Sequence, residues 1–124
     1  MKRIISAAMF GLAMSPLIAL AHAHLQQSAP ANGSNVSVAP GNLALTFSES
    51  AHLTALNIQK EGAAQAHKLE PLPKAASQHF AIALPQLGAG VYTITYRVVS
   101  ADDNHISSGA IKFTIASGPA DHAG

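Results

Sequence analysis

The stretch GVYTITYRVVSADDNHISSGAIKFTI, Gly90 to Ile115, decides the fold. Tyr92, Ile94, Tyr96 and Val98 recur at every second position, and so do Ile111, Phe113 and Ile115. That period belongs to strands with one buried face, because successive side chains of an extended chain point to opposite sides. The SADDNHISSG segment between the two runs carries the small, acidic and glycine residues of a turn.

The same alternation appears further out. Leu43, Leu45 and Phe47 alternate in NLALTF, Leu56 and Ile58 in ALNIQ, and Phe80, Ile82 and Leu84 in HFAIAL. Turn signals separate the runs: PANGS, APGN, EGAA, PLPK and LGAG. Helical periodicity is hard to find, so the chain reads as all-β, a small antiparallel β-sandwich or barrel. The piece from Glu61 to Ser77 is expected to be a surface loop, and residues 117–124 a flexible tail.

Residues 1–23 have the parts of a secretory signal: Lys2 and Arg3, an apolar run from Ile4 to Leu20, and small residues where a peptidase would cut. The run is too short for a good membrane span. Ala19-Leu20-Ala21 and Ala21-His22-Ala23 both permit cleavage, before His22 or before His24. Cutting before His24 leaves 124 − 23 = 101 residues, enough for one domain over 24–116. That mature chain holds five Lys and Arg (7 − 2) against six Asp and Glu, a charge of −1 with neutral histidines. Such a balance excludes a nucleic-acid surface. The chain has no cysteine, so a metal would be held by nitrogen and oxygen alone.

A histidine freed at the N-terminus offers two nitrogens, its α-amine and Nδ1, which close a chelate ring on one metal. The amine titrates near pH 7.7–8.0 and must lose its proton to bind. A nitrogen-rich tetragonal set suits Cu(II), the strongest binder among the divalent ions. Equally, His24 could simply flank the cleavage site. In the turn, Asp103 and His105 stand two apart, so in an extended segment both would project to one side and could complete a square with His24. Asp-x-His is also a common solvated turn, and Asp102 is an alternative carboxylate. Glu49 in LTFSES ends a strand, where it is either solvated or orients a ligand from behind. His52, His67 and His79 sit apart in or near loops, and His122 in the tail. With no Cys, and all three methionines inside the leader, no soft ligand set for Cu(I) exists. Ser-x-x-Lys, G-x-S-x-G and H-E-x-x-H are absent as well.

A leader ending in AHAHL, then SAPANGS, LALTFSE and LGAGVYTITYRVVSADDNHISSGAIKFTI, resembles the periplasmic copper-resistance CopC family over the whole mature chain. The resemblance implies a cupredoxin-like or immunoglobulin-like β-fold and a periplasmic, monomeric, non-enzymatic protein. It also implies a Cu(II) site formed by the amine and imidazole of His24 with Asp103 and His105, and Glu49 at or just behind the metal. The loop departs from many relatives, which have one residue fewer and a proline after the histidine. The segment Glu61 to Ser77 lacks the methionines of relatives with a Cu(I) site, which marks a Cu(II)-only member. Any CopD-like inner-membrane partner would be a separate chain. Two other functions fit an N-terminal histidine on a β-sandwich less well: a copper monooxygenase with a histidine brace, and a metal-free immunoglobulin-like interaction module.

Overall fold

In the computed structural model, which describes residues 23–116, the alternating runs form strands. The expected leader through His22, and the tail with His122, lie outside the described residues. In chain order the strands are β1 (Leu25–Ala29), β2 (Ser34–Val36), β3 (Asn42–Lys60), β4 (His67–Lys68), β5 (Ser77–Ala83), β6 (Gly90–Ser100) and β7 (Ile106–Ile115). No helix occurs among the described residues. Hydrogen bonds connect all seven in one sheet running β1-β3-β6-β7-β2, with β4 and β5 also on β3.

The two runs read separately as NLALTF and ALNIQ are one strand, β3, of 19 residues. Its inward positions change parity on the way: Leu43, Leu45, Phe47, Ala51 and Leu53 are buried, and then Leu56 and Ile58. An inserted residue explains the switch. Leu53 pairs with Val98 and Ala55 with Arg97, so Thr54 has no partner of its own, and its hydroxyl donates to the Arg97 carbonyl at 3.2 Å. This is a β-bulge, which bends a strand and increases its twist.

β3 bends further. Tyr96 is the ladder partner of Leu56, yet its ring packs edge-on against Phe47 with centroids 5.6 Å apart. Nine residues of straight strand would separate Phe47 from Leu56 by roughly 30 Å. The first half of β3 therefore folds back over the second, and the sheet closes on a core that includes Phe47, Phe80, Ile94, Val98, Ile111 and Phe113.

β1 and β6 occupy successive lengths of the same β3 edge. Thr46 pairs with Gln27 on one side and His79 on the other; Ala51 pairs with Ser100 on one side and Ser77 on the other. Both β1 and β6 thus lie across β3 from β5. The start of β1 and the end of β6 meet beside residues 48–50.

Three points differ from the sequence reading. β2 runs parallel to β7, so the sheet is not purely antiparallel. The cause is local: Asn32 Oδ1 accepts the Lys112 N–H at 2.8 Å, and the Gly33 N–H donates to the Lys112 carbonyl at 2.6 Å. Gly33 sits at φ 83°, a left-handed conformation open to glycine, and the chain leaves it already docked along β7. Second, the Glu61–Ser77 segment is not wholly a surface loop, because His67 and Lys68 pair with Ile58 and Asn57 and Leu69 is buried. Third, LQQSA forms β1 without any alternation, because pairing with β3 holds it, with Leu25 alone packed on the core.

Gly109 faces Tyr96 across the β6–β7 ladder. A Cβ there would lie 2.6 Å from Tyr96 Cζ and 2.9 Å from Cε2, and the ring is pinned from behind by Phe47. Gly109→Ala is expected to destabilise by about 1–3 kcal/mol, a fall in Tm of several degrees for a domain of this size. An unchanged melting curve would show that the ring yields freely.

Candidate metal centre

Ser48 and Ser50 each hold one arm of the site. The Ser48 N–H donates to the His24 carbonyl at 2.8 Å, and the His24 N–H donates to Ser48 Oγ at 3.0 Å. Two residues along, the Ser50 carbonyl accepts the Ala101 N–H at 3.0 Å, where the chain leaves β6. Two residues of extended strand span roughly 6.6 Å, so His24 and the Ala101–His105 turn are set close together. Glu49 lies between the two anchors, half-buried.

The turn is tightly wound. Ser100 N–H donates to the His105 carbonyl at 2.8 Å, and Asn104 N–H to the Ser100 carbonyl at 3.0 Å. Asn104 takes φ 59°, the left-handed region that asparagine tolerates better than most residues. Asp103 and His105 therefore do not meet by strand alternation, as their spacing suggested. The turn brings them together: Asp103 Oδ1 accepts the His105 N–H at 3.3 Å, and Oδ2 lies 3.1 Å from His105 Nδ1. This is an Asx-turn, in which a short carboxylate side chain binds the backbone two residues on. It also separates the two aspartates, because the carboxylate that closes on His105 is Asp103.

Partial desolvation works to raise the Asp103 pKa. The His105 N–H, the Ser100 hydroxyl, the His105 ring and its charge outweigh that effect and hold the carboxyl below the ordinary aspartate value. The fully buried Ser100 hydroxyl acts on the carboxylate without meeting full hydrogen-bond geometry.

Of the expected ligands, Asp103 and His105 are in contact, and His24 is placed at the next anchor of the same strand edge. The His24 ring turns to Ser48, with Nδ1 3.5 Å from its Oγ. Among the described residues no three His, Asp or Glu side chains are gathered into one cage. The donor chemistry nonetheless fits a borderline divalent ion: two imidazoles, one carboxylate and, once the Ala23–His24 bond is cut, an amine. In the uncut chain that nitrogen is an amide, and Ala23 ahead of it is buried in the core. His52 and His67 stand exposed on β3 and β4, and His79 Nδ1 lies 3.3 Å from Thr46 Oγ1. A concavity of about 550 Å³ lies at the far end of β3, floored by Ile58, Leu69, Leu87 and Tyr92, away from this corner. Two serines of the site went unnoticed in the sequence: Ser48, whose only signal is its place beside Glu49, and Ser100, the single polar residue in the buried row of β6.

A carboxyl whose folded pKa is depressed adds stability above its unfolded value and loses it as pH falls through the folded one. In the metal-free protein, a carbon-13 titration of Asp103 is expected to show a midpoint below the ordinary aspartate value, with the His105 amide shift moving on the same curve. A midpoint at or above that value would contradict the hydrogen-bond pattern of the turn.

No curated protein matches the chain. In fold it is similar to CopC from Methylosinus trichosporium OB3b, a solved structure 22% identical, with a TM-score of 0.65 over 77% of this chain and 94% of that one. The family model of the CopC domain matches residues 25–116. This chain belongs to the CopC family of copper-resistance proteins.

Proposed function

We propose that the protein is a periplasmic Cu(II)-binding protein, exported and then cut before His24. The amine and Nδ1 of His24, the Asp103 carboxylate and His105 take up the ion, with Glu49 beside them. The observation that carries this reading is the division of one strand edge: Ser48 bonds to His24 and Ser50 to Ala101, so the first and last donors of the chain converge on β3. In this reading Glu49, half-buried between the anchors, receives the amine or orients an imidazole.

The work is capture and release, with no bond-making step. The ion is sequestered or handed to an inner-membrane partner of the CopD kind, and the protein acts as a monomer. Each donor must be unprotonated to bind, so uptake releases protons. Because an amine, two imidazoles and a carboxylate must all give up their protons, the apparent affinity is expected to fall as pH is lowered.

The test compares the chain starting at His24 with the same chain extended by one N-terminal residue. The first is expected to give an axial Cu(II) paramagnetic resonance spectrum with nitrogen hyperfine structure. The extension turns the amine into an amide and should cost more than the 10- to 100-fold that loss of an outer-sphere partner costs. Equal affinities and spectra for the two chains would remove His24 from the site. Mass spectrometry of the exported protein should find His24 as its first residue. Sustained oxygen consumption with ascorbate that depends on an added polysaccharide substrate would replace the carrier reading with an enzymatic one.

A further inference from the structure

One oxygen meets both nitrogens of His24 that could chelate a metal. Ser48 Oγ stands 3.0 Å from His24 N and 3.5 Å from His24 Nδ1. The direction of these contacts follows from the protons available. The N–H at His24 donates, so Oγ accepts there, and the hydroxyl retains its own proton. That proton is free to go to Nδ1. A ring whose Nδ1 accepts carries its proton on Nε2, because the hydrogen bond made by one nitrogen sets the tautomer of the other.

Two requirements of an Nδ1 chelate are then met in advance. The ring is turned back toward its own backbone nitrogen, so both nitrogens face a common point. With the hydroxyl as donor, the lone pair, and not the proton, is on Nδ1. His24 is exposed, so packing does not impose this arrangement, and a free histidine would sample several rotamers and both tautomers. Ser48 is itself well fixed. Its N–H is bonded to the His24 carbonyl, and from the opposite edge Gln78 Nε2 reaches the carbonyls of Phe47 and Ser48 at 3.4 Å each.

We propose that Ser48 is a positioning residue for metal capture, whose hydroxyl holds His24 in the chelating rotamer and the Nε2–H tautomer before the ion arrives. The inference rests on the Cu(II) reading above and adds a residue to it. Removal of the leader changes the amide to an amine, which keeps its donor role toward Oγ. An arriving ion then displaces one hydroxyl from both nitrogens, and the ring needs neither to rotate nor to exchange its proton.

The experiment uses the chain starting at His24, nitrogen-15 labelled at histidine, as wild type, Ser48→Ala and Ser48→Thr. In the metal-free wild type near pH 8, the ring shifts of His24 are expected to report the Nε2–H tautomer. Ser48→Ala should show a mixture of tautomers and bind Cu(II) about tenfold more weakly, with the same paramagnetic resonance spectrum and an unchanged melting temperature. Ser48→Thr, which restores the hydroxyl on a side chain suited to a strand, should recover both properties. A wild-type His24 protonated on Nδ1 overturns the proposal without any variant. So does Ser48→Ala with wild-type tautomer and affinity, and neither result touches the Cu(II) reading. A changed spectrum in Ser48→Ala would make Ser48 a ligand and also overturn the positioning role. Failure of the Cu(II) reading itself has a separate signature, a wild-type affinity indifferent to the one-residue extension.

Discussion

Ser48 and Ser50 point their main-chain groups to the same edge of β3, but to different strands, and that division organises the functional end of the molecule. A single neighbour running the whole edge would leave no place for two chain segments to meet. Here β1 stops at one anchor and β6 turns away at the next, so the edge has a break, with Glu49 in the chain between the two anchors. The break in turn requires β3 to bend, because only a folded-back strand lets Phe47 sit on Tyr96 and close the core beneath the site. A bulge at Thr54 and an irregular register between Thr46 and Ala51 supply that bend.

Several of these features could be read from the chain alone. The alternation of Tyr92 through Val98 and of Ile111 through Ile115 identified β6 and β7 because these runs turn one face to the core and the other outward. Leu43–Phe47 and Leu56–Ile58 were equally plain, yet they read as two strands. The reason is the parity change at Thr54: a bulge breaks the period of two, and a broken period looks like an end. β1 carried no hydrophobic pattern, since an edge strand of Gln and Ser with only Leu25 on the core is held largely by backbone bonds whose donors and acceptors every residue shares. β2, with only Val36 on the core, was invisible for the same reason.

At the site, residue types were legible and geometry was not. Asp103 and His105 stood out by spacing, but extended-chain reasoning gave the wrong cause for their contact. The left-handed Asn104 and the Asx-turn bring them together, and either neighbouring aspartate could have occupied that turn on composition alone. Ser48 and Ser100 carry only weak sequence signals, a place beside Glu49 and a polar break in a buried row, because a serine in a strand is ordinary until the structure shows what its hydroxyl faces. The CopC-domain match and the shared fold confirm the family while leaving the ligand set to be measured on this chain.

The convergence on β3 has a consequence for the cohesion of the whole domain. His24 and His105 are eighty-one positions apart in a chain with no cysteine. An ion held between them would act as a reversible cross-link, closing nearly the entire domain into a covalent-like loop, and loop-closure entropy for such a span is worth about 4–5 kcal/mol. The first strand, held otherwise by one edge of hydrogen bonds and the packing of Leu25, would be stapled to the last hairpin. A domain without disulfides would thus draw mechanical closure from the ion it holds, tightening when loaded and loosening when the ion is given up.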